Sequence, residues 1–215
     1  MKKILVTGTS RGLGETLVQQ LSTSGHEVYG TTRNMYDFLE PTATSRCFKD
    51  YRDCDVLLNN AGICYPYSEH NVPAFEETMQ VNFHAPVDLS IRFTAHWISQ
   101  GIRGTIINVL SRVANKGSIN APHYACSKAA LASFTNSWGA RYAESINVFG
   151  IAPSWIDTDI MSANMVDEEA EIASIPLKRV LTTQELVPYF QFLISDKAAY
   201  MTGQILDVNG ASYFH

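Results

Sequence analysis

Apolar residues along the chain fall into short, wholly hydrophobic runs that alternate with longer stretches in which they recur every three or four positions. Ile4-Leu5-Val6 is the first run, and it ends at Thr7-Gly8. Leu13, Leu17, Val18 and Leu21 then make one helical stripe, which Gly25 closes. Residues 26–32 read as a second strand, Val56-Leu57-Leu58 as a third, and residues 105–110 as a fourth. Two long helical patterns span residues 73–100 and 124–144. A strand at residues 146–151 leads to Pro153, and residues 203–208 form a closing strand. Strands apolar on both sides must be covered on both faces. Their alternation with helices predicts a Rossmann-like, doubly wound parallel sheet with helices on each face. No repeat, low-complexity tract or linker interrupts residues 1–215, so a single domain is expected.

Residues 34–54 break this rhythm. Crossovers between parallel strands take a dozen or more residues, usually helical. The only strand candidate, residues 46–49, sits too close to the strand beginning at Asp55 for a helix to fit between them. The edge of the sheet is therefore expected to be trimmed here, losing a helix alone or a helix together with a strand.

Composition narrows the picture without changing it. Hydrophobic residues make up 46% and charged residues 17%, a globular balance. The net charge of -5 gives no electrostatic reason to expect nucleic acid or an anionic membrane as partner. Cys47, Cys54, Cys64 and Cys126 lack metal-ligand or disulfide-frame spacing, so reduced thiols, no metal site and a cytoplasmic location are expected. No long apolar run follows Met1-Lys2-Lys3, and none approaches the length of a membrane span.

Two motifs carry chemistry. Gly8, Gly12 and Gly14 punctuate the turn from the first strand to the first helix, with Ser10, Arg11 and Leu13 among them. Glycines there let the backbone approach a pyrophosphate, whose charge is met by the helix N-terminus. Three glycines in seven residues also fit a plain loop. The second motif is Tyr124 and Lys128, four residues apart and so on one face of a helix, with Ser111 at the carboxyl end of a predicted core strand. A surface lysine beside a packed tyrosine has the same spacing. A phenol can protonate an alkoxide, but bringing its pKa from about 10 to about 7 takes roughly 4 kcal/mol. That is the size of one cation at about 4 Å in an effective dielectric near 20.

Thr7-Gly8-x-x-x-Gly12-x-Gly14, Asn59-Asn60-Ala61-Gly62 and Ser111 followed by Tyr124-x-x-x-Lys128 together resemble the short-chain dehydrogenase/reductase family over most of the chain. The resemblance implies an NADP(H)- or NAD(H)-dependent oxidoreductase acting on a small carbonyl or alcohol substrate. Tyr124 would be its general acid/base, Ser111 would stabilise the substrate oxyanion, and Lys128 would hold the nicotinamide ribose. Asn82 matches a fourth catalytic position, where it would anchor a water leading to Lys128; an asparagine bridging backbone groups fits equally. On the cofactor side it implies Gly8, Ser10, Arg11, Gly12, Leu13, Gly14, Asn60, Ala61, Gly62, Pro153, Ile156 and Thr158, with Asp50 reaching the adenine. Family members that use NAD carry an acid at the end of the second strand. Thr32-Arg33 stands there instead, so Arg33 and Arg11 point to the 2′-phosphate of NADP(H).

Ser154 and Phe149 replace the family's usual Gly and Asn beside the nicotinamide pocket. Residues 155–178 correspond to the substrate lid, in which Trp155, Ile156, Met161, Met165 and Ile172 are candidates for an apolar pocket. Asp167, Glu168, Glu169 and Glu171 read as its solvated face. Cys126 reads as a small residue packed inside its helix. Members commonly pair through their two long helices, which implies a homodimer or homotetramer. Epimerase or dehydratase chemistry on the same fold, and a non-catalytic dinucleotide sensor, are the alternatives.

Overall fold

The computed structural model describes residues 1–65, 72–158 and 167–213. Its centre is a six-stranded, all-parallel sheet in the order β2-β1-β3-β4-β5-β6. The strands are β1 (Lys3–Thr7), β2 (Glu27–Thr31), β3 (Val56–Asn59), β4 (Thr105–Val109), β5 (Asn147–Pro153) and β6 (Ile205–Val208). Between them lie α1 (Gly12–Thr23), α2 (Ala43–Tyr51), α3 (Val72–Met79), α4 (Ala85–Gln100), α5 (Val113–Lys116), α6 (Pro122–Arg141), α7 (Glu168–Ser174) and α8 (Thr183–Ile194). No helix among the described residues is long and apolar enough to cross a membrane.

The period-2 pleat of the strands divides the core. Ile4, Val6, Leu58, Ile107 and Phe149 face Leu17 and Leu21 of α1 and Leu186 and Phe190 of α8. Leu5, Leu57, Ile106 and Val148 face the other way, toward Cys47 of α2 and Phe93 and Trp97 of α4. Both faces being covered explains why the strand sequences are apolar throughout. Local signals hold the ends of elements. Gly101 takes a left-handed φ of 65° after α4, and Thr182 and Glu185 form a reciprocal capping box at α8.

The order reverses between β2-β1 and β3-β4, so β1 and β3 lead their chains in opposite lateral directions and open a crevice at their carboxyl ends. The expected helix over residues 73–100 is present but not uniform. A π-helical turn, Gln80–His84, joins α3 to α4, and such widened turns recur at functional sites.

The edge of the sheet is trimmed as expected, but residues 46–49 are helical, not a strand. They lie within α2, which supplies the whole crossover from β2 to β3 and leaves β2 as the edge strand. Thr44, Cys47 and Phe48 give this short segment a helical, not alternating, apolar face. Phe48 meets the Phe93 ring edge-on at 5.2 Å, and the Thr44 hydroxyl donates to Asp88 at 2.5 Å. Tyr29, Tyr36 and Tyr51 close the edge with ring contacts of 5.5 and 6.2 Å.

Trp97 is fully buried and its indole N–H donates to the Cys54 carbonyl at 2.8 Å. Trp97→Ala is expected to lower the unfolding free energy by about 3–5 kcal/mol, read by urea denaturation.

Candidate active site

Two close approaches shape the crevice. A Cβ on Gly8 would stand 2.6 Å from the Ala61 Cα, and one on Gly14 would stand 2.2 Å from the Gly8 carbonyl oxygen. Gly8 and Gly12 also take left-handed φ values of 72° and 59°. The Thr7 hydroxyl oxygen accepts from the backbone N–H groups of Asn60 (3.1 Å) and Ala61 (3.0 Å). In return the Asn60 side-chain amide donates to the Thr7 and Gly8 carbonyls, both at 2.9 Å. The N-cap residue of α1, Arg11, does not cap the helix with its side chain.

A cleft of about 570 Å³ runs from this loop in both directions. Toward β2 it is lined by Thr32, Arg33 and Asp37; toward β4 it reaches Ser111, Tyr124 and Lys128. Gly8, Ser10, Arg11, Gly12, Leu13, Gly14, Asn60, Ala61, Gly62, Pro153, Ile156 and Thr158 all border it, as the sequence implies. The side chain of Thr158 lies against the loop itself, where a Cβ on Gly12 would meet its methyl at 3.1 Å. An elongated cleft, a glycine cradle with no room for side chains and an uncapped helix start fit a dinucleotide, with its pyrophosphate at the loop.

Asp50 does not line the cleft. It accepts from the Tyr36 hydroxyl at 2.6 Å on the far side of that ring. The wall is built instead by Tyr36, Asp37, Phe38 and Leu39; by sequence Asp37 lies too far past the second strand to be expected there, and nothing in the spacing of the other three marks a turn that folds back. Arg33 is exposed and ion-paired to Asp37 at 3.0 Å.

At the other end, Ser111 lies just past β4, and Tyr124 and Lys128 come from the first turns of α6. Ser111 and Tyr124 both line this end of the cleft, with the Ser111 side chain near enough to the phenol to act on its pKa. Lys128 donates to the Val109 carbonyl at 2.7 Å and sits 5.5 Å from the centroid of the Tyr124 ring. Burial governs both groups. It pushes the Tyr124 phenol well above its ordinary range, with Ser111 pulling weakly the other way, and it lowers the Lys128 ammonium to about 8. Lys128 therefore does not by itself bring the phenol's pKa down toward 7: desolvation outweighs the charge–charge attraction the spacing suggests.

Asn82, on the π-helical turn, is fully buried and bridges backbone groups. Its amide donates to the Ile63 carbonyl (2.8 Å) and the Ser127 hydroxyl (3.1 Å), and its oxygen accepts from the Ile63 N–H (2.8 Å). Ser127 in turn donates to the Tyr124 carbonyl at 2.7 Å, tying the clamp to the helix that carries Tyr124.

Several other expectations are corrected. Phe149 is buried in the core of the sheet and does not line the cleft. Cys126 is exposed, because two positions after Tyr124 lies the opposite side of α6. Of the lid residues, Trp155 and Ile156 line the cleft and Ile172 does not; Met161 and Met165 lie outside the described residues. Glu171 is only partly on a solvated face. It turns inward to accept from Trp155 at 3.1 Å and from Arg112 at 3.3 Å. Cys64 also borders the cleft, its thiol pushed up to about 11 by burial.

Comparison with known proteins places the chain among relatives of the same fold. Residues 37–211 match the family model described as Enoyl-(Acyl carrier protein) reductase. The chain is 30% identical to the 3-oxoacyl-(acyl-carrier-protein) reductase of Salmonella typhimurium, over 99% of this chain and 97% of the relative. Among solved structures, a candidate 2-deoxy-D-gluconate 3-dehydrogenase of Agrobacterium tumefaciens with bound NADP superposes with a TM-score of 0.88 at 27% identity. That match covers 98% of this chain and 96% of the other. The 3-ketoacyl-(acyl-carrier-protein) reductase of Brucella melitensis complexed with NADH has the same fold, with a TM-score of 0.89 at 24% identity over 99% and 98%.

The folded-state pKa of Lys128, about 8, lies below its ordinary 10.5, so burying the charged amine opposes folding below pH 8 and this penalty fades as pH rises. Tyr124, shifted upward from 10, acts only at higher pH and in the opposite sense. Between pH 8 and 10 the melting temperature of the dinucleotide-free protein should therefore gain relative to that of Lys128→Met. Parallel curves in differential scanning calorimetry would contradict the shift.

Proposed function

The chain belongs to the short-chain dehydrogenase/reductase family, and from that premise we propose that it is an NADP(H)-dependent oxidoreductase interconverting a carbonyl and an alcohol. The observation that carries this reading is the meeting of Ser111, Tyr124 and Lys128 at one end of a cleft whose middle is the glycine loop. The dinucleotide, when bound, supplies or receives the hydride. Ser111 holds the reacting oxygen of the substrate and stabilises charge that develops there. Tyr124 gives that oxygen its proton during reduction and takes it back during oxidation. Lys128, held by the Val109 carbonyl within reach of Tyr124, orients the cofactor ribose and draws on the phenol's electrons. Asn82 acts as a positioning residue that holds the loop after β3 against α6.

NADP(H) is favoured because Arg33 and Arg11 border the adenosine end and no acid ends β2. The Arg33–Asp37 pair is surface-exposed, so exchanging Asp37 for a phosphate costs little. Asp37 in the same wall supports a second reading, in which its carboxylate accepts from the adenosine ribose of NAD(H). Exposed Ile91 and Ile98 on α4 support pairing of two copies through the long helices.

Reduction of a panel of ketones, aldehydes and quinones, followed by NADPH absorbance, tests the activity. Tyr124→Phe should lower kcat by about 10²–10⁴-fold while leaving NADPH binding intact; turnover that survives this change would refute the role of Tyr124. Arg33→Ala should weaken NADPH binding by roughly ten- to a hundredfold and NADH binding much less. Equal losses for both dinucleotides would favour the NAD(H) reading.

A further inference from the structure

Arg112 directly follows Ser111 and lines the cleft. Its backbone N–H donates to the Pro153 carbonyl at 2.9 Å, which fixes it between the carboxyl ends of β4 and β5. Only 6% of its side chain is exposed, and one arm, Nη2, reaches Glu171 of α7 at 3.3 Å. The other arm, Nη1, is shielded from solvent and has no acceptor among the described residues. A buried guanidinium donor with nothing to donate to calls for an explanation, and it stands beside the residue assigned to the reacting oxygen.

We propose that Arg112 recognises a carboxylate on the substrate, so that the protein acts on keto acids or hydroxy acids in preference to neutral ketones and alcohols. The inference rests on the carbonyl–alcohol reading of the cleft and adds the class of substrate. A guanidinium presents a planar fork that a carboxylate fills with two parallel hydrogen bonds. Glu171 fills it with one long bond and leaves Nη1 unsatisfied. Glu171 is itself 32% exposed, so a displaced carboxylate returns to water and no buried charge is stranded. Lys128 and Arg112 against Glu171 leave this end of the cleft with an excess of positive charge, which favours an anion. In this arrangement Glu171 is a stand-in from the lid, and an incoming substrate carboxylate replaces it.

The test uses 2-, 3- and 4-oxopentanoate, each paired with its methyl ester, in NADPH-dependent reduction. At least one acid should exceed its ester by about tenfold or more in kcat/KM, through KM. In Arg112→Met the acid-to-ester ratio should collapse toward one. In Glu171→Gln, which removes the competing carboxylate from a partly exposed site, the KM of the preferred acid should fall. A preference for esters, equal losses for acid and ester in Arg112→Met, or equal weakening of both in Glu171→Gln would overturn the proposal and leave Arg112 as a lid contact.

Binding is read separately, from the fluorescence of NADPH bound to Tyr124→Phe during titration with the same acids and esters. Saturation by an acid and not its ester supports recognition by Arg112 even where neither compound is turned over; in that case it is the reductase reading that fails. Saturation by none of the acids overturns the inference.

Discussion

At the carboxyl ends of β1 and β3 two backbones approach so closely that a single added Cβ, on Gly8 or Gly14, would fall within 2.6 Å of a neighbouring main-chain atom. Thr7 and Asn60 hold that approach with reciprocal bonds between side chain and backbone. The loop cannot tighten further and cannot relax without breaking them. From this junction polar contacts continue outward. The chain leaving Asn60 reaches Ile63, which Asn82 grips on both sides; Asn82 grips Ser127, and Ser127 bonds the Tyr124 carbonyl. The glycine cradle and the helix that carries Tyr124 are thus parts of one hydrogen-bonded frame. A buried frame of this kind is stable only when every member is satisfied.

The same burial that makes the frame rigid sets the chemistry. Lys128 is buried and Tyr124 half-buried at the cleft, and desolvation is the largest effect on both, raising the phenol and lowering the amine. Each is pushed toward its neutral form. The protein's own residues prepare a site in which an added positive charge has a large effect on the phenol, because little solvent screens it. Arg112 follows the same logic in reverse. It is kept charged by its high intrinsic pKa while burial opposes the charge.

The trimmed edge shows how a fold tolerates loss at its periphery. With α2 alone connecting β2 to β3, the chain needs another wall for the adenosine end of the cleft, and residues 36–39 supply it. Tyr36 is packed between Tyr51 and the Asp50 carboxylate, and the Gln80 side chain donates to the Phe38 carbonyl at 3.1 Å.

The sequence by itself determined what depends on local period and spacing. Wholly apolar runs such as Ile4-Leu5-Val6 and Val56-Leu57-Leu58 read as strands covered on both faces, and the three glycines mark the turn between the first strand and the first helix. Tyr124 and Lys128 must share a helix face, because a helix turns once every 3.6 residues. Tertiary structure alone decided whatever depends on which distant segments meet. Residues 46–49 are helical because α4 offers them a face to pack on. Asp50 turns to Tyr36 and away from the cleft. Glu171, one of several acids on a short helix, points inward because Trp155 and Arg112 present donors there. The protonation of Tyr124 and Lys128 belongs to the same class, since burial is a property of the whole packed chain and leaves no mark in the spacing of residues.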